Sequence, residues 1–255
     1  MKIRFLGTGT STGVPQIGCQ CEVCRSSDPR DKRLRCSALV SFNSGENVLI
    51  DCGPDFRQQM LPVRFRALDG VLLTHIHYDH TGGIDDLRPF CAFGDVDVYA
   101  DKSTVAHLKH QLPYCFEENL YPGVPRLVMN EVAPHRAFRV GGVNVLPFTV
   151  MHGKLPILAY RMGGLAYITD MSAFPEESAP CVRDVDVLVV NALRQEPHNT
   201  HQSLSQALAF VEKVKPRVAY FVHMSHQIGL HAEMERLLPP NVHFAYDGLE
   251  VDCCE

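Results

Sequence analysis

The stretch Thr74-His75-Ile76-His77-Tyr78-Asp79-His80 packs three imidazoles and a carboxylate into six residues, directly after the apolar run 71–73. Donors this dense point to bound metal, because imidazole nitrogens and carboxylate oxygens are what divalent transition ions take. Alternate residues of an extended segment point to opposite sides, so His75 and His77 share a direction, and a turn toward a helix redirects Asp79 and His80. Two adjacent ions can be served in this way. His152, Asp170 and His223 also stand where apolar runs end, at 143–150, 166–169 and 218–222. One such residue ordinarily makes a turn hydrogen bond. Three placed alike complete the set of about six to eight donors that two ions require, with an Asp as the natural bridge.

A second cluster has different chemistry. Cys19-Gln20-Cys21-Glu22-Val23-Cys24 brings three thiols close enough to reach one ion, and a thiol-rich set favours Zn²⁺. The fourth ligand is open between two residues. His226, three residues after His223, would staple the N-terminal loop to the floor of the metal site; Cys36 competes with it.

The elements that must position these donors are short. Apolar, β-branched runs bounded by Gly, Asn, Ser or Pro read as strands at 2–6, 38–42, 48–50, 71–73, 96–99, 143–148, 158–160, 166–168, 185–190, 218–222 and 243–246. Helical spacing fits 103–112, 202–214 and 231–238. In the second of these Leu204, Leu208 and Val211 share a face and Ser203 is the expected cap. Strands outnumber scattered helices, which implies sheets layered beneath helices. With no repeat or linker tract, 1–255 reads as one domain with a zinc-binding loop near 18–36. The Pro-rich segment 113–134, with its Glu117-Glu118 pair, is expected to be a loop over the site.

Composition sets limits on function. Over 255 residues the net charge is −5, so no global positive field draws the chain to nucleic acid or an anionic membrane. The apolar run after Met1 is too short for a signal peptide, and a cytoplasmic location is expected. In a reducing compartment ten Cys and 13 His favour metal over disulfides.

The pattern His75, His77, Asp79, His80 resembles the H-x-H-x-D-H signature of the metallo-β-lactamase superfamily, and the resemblance extends over nearly the whole chain. The superfamily's further positions are matched in order by Asp51, His152, Asp170 and His223. This resemblance implies an α/β (α+β) fold, the four-layer αββα metallo-β-lactamase sandwich. It also implies His75, His77 and His152 on one ion, Asp79, His80 and His223 on the other, Asp170 between them and Asp51 in a structural role. The Gly-Cys-x-Cys-x-x-Cys of Gly18 to Cys24 and His223-Met224-Ser225-His226 are similar to PhnP-type phosphodiesterases, as are Gly7-Thr8-Gly9 and Asp247-Gly248. Those enzymes hydrolyse cyclic and simple phosphodiesters, and they carry a His before the late helix that assists the leaving group. Asn199-Thr200-His201 matches that position; helix-capping chemistry in 198–201 is an equal alternative for His201.

The reaction implied is hydrolysis of a small cyclic or simple phosphodiester. Two divalent ions, Zn or Mn, about 3.5 to 4 Å apart, would share a hydroxide that attacks in line, and one further Zn would be structural. Asp79 and His201 are the catalytic candidates. Neutral His201 cannot protonate a departing alkoxide, so a nearby carboxylate or phosphate is expected to raise its pKa. The alternatives are a ribonuclease Z-like endoribonuclease, which should look more basic, a thioester or lactone hydrolase, and a non-catalytic PqqB-like zinc protein, whose metal motif is degraded where this one is intact. The partners expected are a small phosphodiester substrate, no stable nucleic-acid complex and no membrane, with a homodimer left open.

Overall fold

Strands of Val, Leu, Ile and Ala build two sheets, and the computed structural model describes them within residues 1–117 and 121–255. The strands are β1 (Lys2–Gly7), β2 (Ser37–Ser41), β3 (Asn47–Ile50), β4 (Gly70–Leu72), β5 (Val96–Ala100), β6 (Leu127–Glu131), β7 (Phe138–Val140), β8 (Val143–His152), β9 (Leu155–Met162), β10 (Leu165–Tyr167), β11 (Val187–Asn191), β12 (Val218–Val222), β13 (Val242–Phe244) and β14 (Glu250–Asp252). One sheet runs β14-β1-β2-β3-β4-β5-β6 and the other β13-β12-β11-β10-β9-β8-β7. In each, antiparallel pairings on one side give way to parallel pairings on the other: from β3 to β6 in the first, from β10 to β13 in the second. Parallel strands need crossovers, and the loops leaving their C-terminal ends are where such folds gather functional groups.

Three apolar layers hold the sheets and helices together. Between the sheets Ile3, Phe5, Val40, Ile50 and Leu72 meet Val145, Tyr160, Tyr167 and Val189. Outside the N-terminal sheet Leu49, Val71 and Leu73 pack with Phe56, Leu87, Phe90, Val105 and Leu108; outside the other sheet Phe148, Ile157 and Leu188 pack with Phe210 and Val211. Each fully buried side chain of this kind contributes roughly 1.5–3 kcal/mol. The result is a four-layer αββα sandwich, the layering the sequence pattern implies.

Several expected elements shift. The segment 113–134 is not loop throughout: β6 lies within it and pairs in parallel with β5, and Glu118 falls outside the described residues. β6, β7 and β14 escape the sequence pattern because they are short edge strands whose residues are mostly only partly covered, so few apolar positions mark them. The helix expected over 202–214 spans Leu204–Val214. Ser203 caps it in a full capping box with Gln206, and its buried face is Ala207, Phe210 and Val211, with Leu204 and Leu208 at the margin. The helix at His231–Met234 ends early in a 3₁₀ turn, Glu235–Leu237. β8 and β9 form one long hairpin that turns over Gly153 and Lys154, at φ +61° for the glycine, and this sets His152 at its tip.

Candidate metal centre

The donor residues follow strand ends of both sheets. His75 and His77 come after β4, His152 ends β8, Asp170 follows β10 and His223 follows β12. Asp79 and His80 lie on the one-turn helix Tyr78–Thr81. That helix is held against the loop after β3, where Cys52 N–H donates to the His80 carbonyl at 2.8 Å. A Cβ on Gly53 would collide with the Asp79 carbonyl, so only glycine lets the loop come this close. The sheets are tied together just beneath: Leu158 N–H donates to the Thr74 carbonyl at 2.9 Å and the Tyr160 hydroxyl to the Leu73 carbonyl at 2.6 Å.

Two donor groups result from the expected ligands, and a third, His152, Asp170 and His201, overlaps both. His75, His77 and His152 converge in one, and Asp79, His80, Asp170 and His223 in the other, the ligand atoms of each lying within 4.8 Å of one another. His75 Nε2 and His77 Nδ1 stand 3.0 Å apart. Burial keeps both imidazoles below their ordinary pKa, with neighbouring His80 and His152 respectively adding to it, so both present lone pairs. The outward nitrogens are fixed by other partners. His152 Nδ1 donates to the carbonyls of Asp170 and Thr200, each at 2.9 Å, which leaves Nε2 as its free lone pair. His80 Nδ1 donates to Asp51 Oδ2 at 2.7 Å. Its Nε2 is completely buried with no hydrogen-bond partner of adequate geometry, although Asp79 and Asp170 oxygens lie 3.2 Å away.

An orphaned imidazole nitrogen facing two buried carboxylates is what a divalent cation would satisfy, so this donor set fits metal. Burial resists the charge on His80, but Asp170, Asp51 and Asp79 outweigh it and raise its pKa well above the usual range. Burial likewise resists ionisation of Asp170 and Asp79, and is outweighed by His223 and His80 for the first and by His80 and His223 for the second, so both are held far below the ordinary carboxylate value.

Supporting residues explain the precision. Asp51 accepts from Thr74 N–H at 2.8 Å and from the Thr74 hydroxyl as well as from His80, joining the two donor groups; the Thr74 hydroxyl also lies 3.0 Å from His75 Nδ1. Asn191 grips the backbone of Met171, next to Asp170, through both ends of its amide. Asp51, Asp170 and His223 have φ of 59°, 55° and 57°, left-handed geometry that non-glycine residues adopt at a cost of roughly 1–3 kcal/mol each. No motif in the sequence marks Thr74 or Asn191 as part of the site. Nothing distinguishes an inward-facing Thr beside a His from any other before the strand ends are brought together.

His201 belongs to the same pocket, with Nε2 3.0 Å from Asp170 Oδ1 and Nδ1 3.0 Å from the Thr200 hydroxyl and 3.2 Å from His198 Nδ1. It does not cap the late helix, since Ser203 does. The carboxylate expected beside it is there, yet the expected rise in pKa is not. Burial lowers the imidazole to about 4 and the Asp170 hydrogen bond only partly opposes this.

The thiol cluster gathers Cys19, Cys21, Cys24 and His226, with Cys21 Sγ 3.3 Å and Cys19 Sγ 3.7 Å from His226 Nδ1. Gln16 N–H points at Cys24 Sγ and Cys24 N–H at Cys21 Sγ, donors suited to thiolates. A backbone hydrogen bond from Cys21 lowers the Cys19 pKa, whereas burial pushes Cys24 up to about 11. Three sulfurs and one nitrogen make a closed four-donor set that fits Zn²⁺. Cys36, the competing fourth ligand, is elsewhere: fully buried, with Sγ 3.3 Å from the Tyr167 hydroxyl. Between the two sites runs a polar network missed in the sequence. Buried Arg33 donates to Thr8 Oγ1 and the Ala245 carbonyl, while Asp247 accepts from Thr8 and Leu34. Thr8 in turn accepts from Met224 N–H, next to His223.

A fold of two mixed sheets with paired donor groups at their strand ends defines a class of metallo-hydrolase. The chain belongs to the beta-lactamase superfamily, whose domain description matches residues 46–224. It is 44% identical over 251 residues, 98% of its length, to an octanoyltransferase of Porphyromonas gingivalis, and it spans about half the length of that relative. Among solved structures it is similar to a diphosphatase from the PhnP family, at 40% identity and a TM-score of 0.91, covering 100% of this chain and 98% of that one. Zinc-bound PqqB from Methylobacterium extorquens shares the fold, at 21% identity and a TM-score of 0.79 over 99% of this chain and 100% of that one. Among the described residues no helix is long and apolar enough to cross a membrane.

Proposed function

We propose that the chain is a dinuclear metal-dependent phosphoric ester hydrolase that cleaves a P–O bond at a diester-type phosphorus in a small substrate. A cyclic or simple phosphodiester is the first class to test and a diphosphate bridge the second, since both present two non-bridging oxygens on the attacked phosphorus. One observation carries the proposal: seven donor side chains of the right types share one pocket in a chain similar end to end to a PhnP-family diphosphatase. When bound, Zn or Mn ions would supply an acidified water and positive charge for the phosphoryl oxygens. His75, His77 and His152 would hold one ion, Asp79, His80 and His223 the other, and Asp170 would serve both. A structural Zn²⁺ on Cys19, Cys21, Cys24 and His226 is part of the same proposal.

The chain's own residues have distinct tasks. Asp51 and the carbonyls of Asp170 and Thr200 fix the tautomers of His80 and His152. His201 stands beside Asp170 without being needed for either triad. With burial holding its pKa to about 4, it becomes a proton donor only when the negative charge of the phosphate arrives next to it. Hydrolysis of an acyl thioester is the second reading. It is prompted by the octanoyltransferase relative, of which this chain matches about half, and an activated water can attack acyl carbon as well as phosphorus. A panel of phosphodiesters, diphosphates, phosphomonoesters, thioesters and lactones offered to metal-replete protein separates them. Turnover confined to thioesters or lactones would overturn the phosphorus reading.

A further inference from the structure

Three polar side chains that hold no ion are buried beside the carboxylate of Asp170. Tyr167 ends β10 and Thr169 stands two residues on, a spacing that puts both side chains on one face of an extended segment. Cys36 comes from the other sheet, just before β2, and meets both: its Sγ is 3.3 Å from the Tyr167 hydroxyl and 3.8 Å from Thr169 Oγ1. All three are fully buried, and Cys36 and Tyr167 belong to the apolar layer between the sheets, where a hydroxyl without a partner is costly.

Counting protons puts the three in order. A carboxylate can only accept, so the Thr169 hydroxyl donates to Asp170 Oδ2, at 2.6 Å. That uses its one proton, and in the contact with Cys36 the thiol is therefore the donor. The thiol proton is used in turn, which leaves the Tyr167 hydroxyl to donate to Sγ. Burial pushes the thiol up to about 12 and the phenol well above its ordinary value, so both groups keep their protons. The result is an unbranched run of donors from Tyr167 through Cys36 and Thr169 to the carboxylate, in which each bond polarises the next by roughly 10–30%.

The other contacts of Asp170 show what such a run can do. Oδ1 lies 3.0 Å from His201 Nε2 and 3.1 Å from His223 Nε2, whereas Oδ2 lies 3.2 Å from His80 Nε2. Rotation of the carboxylate about its Cβ–Cγ bond would exchange these neighbours. Asn191 grips the backbone next to Asp170 but leaves that rotation free. Among the described residues Thr169 supplies the one hydroxyl bonded to either oxygen.

We propose that Thr169, Cys36 and Tyr167 are positioning residues for Asp170, their donor run fixing the rotation of its carboxylate so that Oδ1 stays turned toward His201 and His223. The proposal rests on the dinuclear reading of the pocket and gives Cys36 a task other than ligation. Zn²⁺ affinity of the pocket, read by chelator competition in a chain that already carries its thiolate zinc, tests it. Thr169→Val keeps the shape and loses the hydroxyl, and should weaken Zn²⁺ by about 10 to 100-fold, the usual loss when a ligand's outer partner is removed. Thr169→Ser keeps the hydroxyl and should bind as the unaltered chain does. Tyr167→Phe and Cys36→Ala should each weaken binding a few-fold, and neither should add to Thr169→Val, because the run they feed is then already cut. Retention of the thiolate zinc in each variant shows that the fold is intact. A pocket indifferent to Thr169→Val overturns the proposal. So does an equal loss in Thr169→Ser, or a Tyr167→Phe effect that adds in full to that of Thr169→Val. An unaltered chain that takes up no divalent ion beyond the thiolate zinc would end the dinuclear reading itself, and this inference with it.

Discussion

The two donor clusters are built in opposite ways. The His/Asp pocket draws its donors from strand ends of both sheets and buries most of them, with three of the supporting backbones in left-handed geometry. It exists only after the sandwich has formed. The Cys₃His cluster takes three donors from one short loop with a four-residue helix, Glu22–Arg25, and a single donor from far along the chain, and is half-exposed. There the ion would make the structure rather than be received by it. Metal loss should therefore cost chemistry at the first cluster and stability at the second.

The sharpest way to break this contrast is to remove a donor from the pocket. Asp79→Ala and His80→Ala should each lower hydrolysis by about 10³-fold or more, since several kcal/mol of charge stabilisation is lost. The thermal midpoint should stay close to that of the unaltered chain and one thiolate-bound zinc should remain by elemental analysis. Full activity in both variants would end the dinuclear reading. His201→Ala comes next: metal content holds, turnover falls by about 10² to 10⁴-fold for diesters with poorly stabilised alkoxide leaving groups, and p-nitrophenolate esters suffer far less. Equal losses would assign His201 to phosphoryl binding.

Smaller effects sharpen the comparison. Asp51→Asn should weaken active-site metal affinity by roughly 10 to 100-fold in a chelator competition, with the thiolate zinc unmoved. Cys21→Ser and His226→Ala should each release one zinc and lower the melting temperature by several degrees, whereas Cys36→Ser should release none. The network between the clusters, which His231 joins with Nδ1 3.3 Å from Arg33 Nη2, gives the smallest signal. Burial, with Arg33 alongside, lowers His231 to about 4. Below its unfolded value of about 6.5 the unfolded chain binds this proton and the folded chain does not, so stability present above that pH is lost as pH falls toward 4. His231→Gln should flatten that part of a melting-temperature profile; an unchanged slope would mean His231 is not the group responsible.

What was legible in the sequence was what is local or repeated. Alternating apolar runs gave the covered strands, and the six-residue runs 75–80 and 19–24 disclosed two ligand clusters because each lies within one segment. His226 could be nominated but not separated from Cys36, since the choice depends on which of two distant segments folds against the loop. Edge strands such as β6 left no alternation to find. The surroundings of His201 are only half legible for a related reason: the neighbouring carboxylate can be anticipated, but the burial that outweighs it belongs to the assembled pocket. Asn191 and Thr74 act through backbone contacts that no spacing rule encodes.

The staple between Cys19 and His226 spans 207 residues. During translation at about 5–20 residues per second, the three thiols therefore leave the ribosome roughly 10–40 s before the imidazole that would complete their site. For that interval the loop is an unfinished chelator, exposed to oxidants and to competing thiophilic ions, and the N-terminal segment docks among the last parts of the nascent chain. Variants that slow synthesis between codons 24 and 226, without changing any amino acid, should lower the yield of zinc-loaded protein more in oxidising cells than in reducing ones.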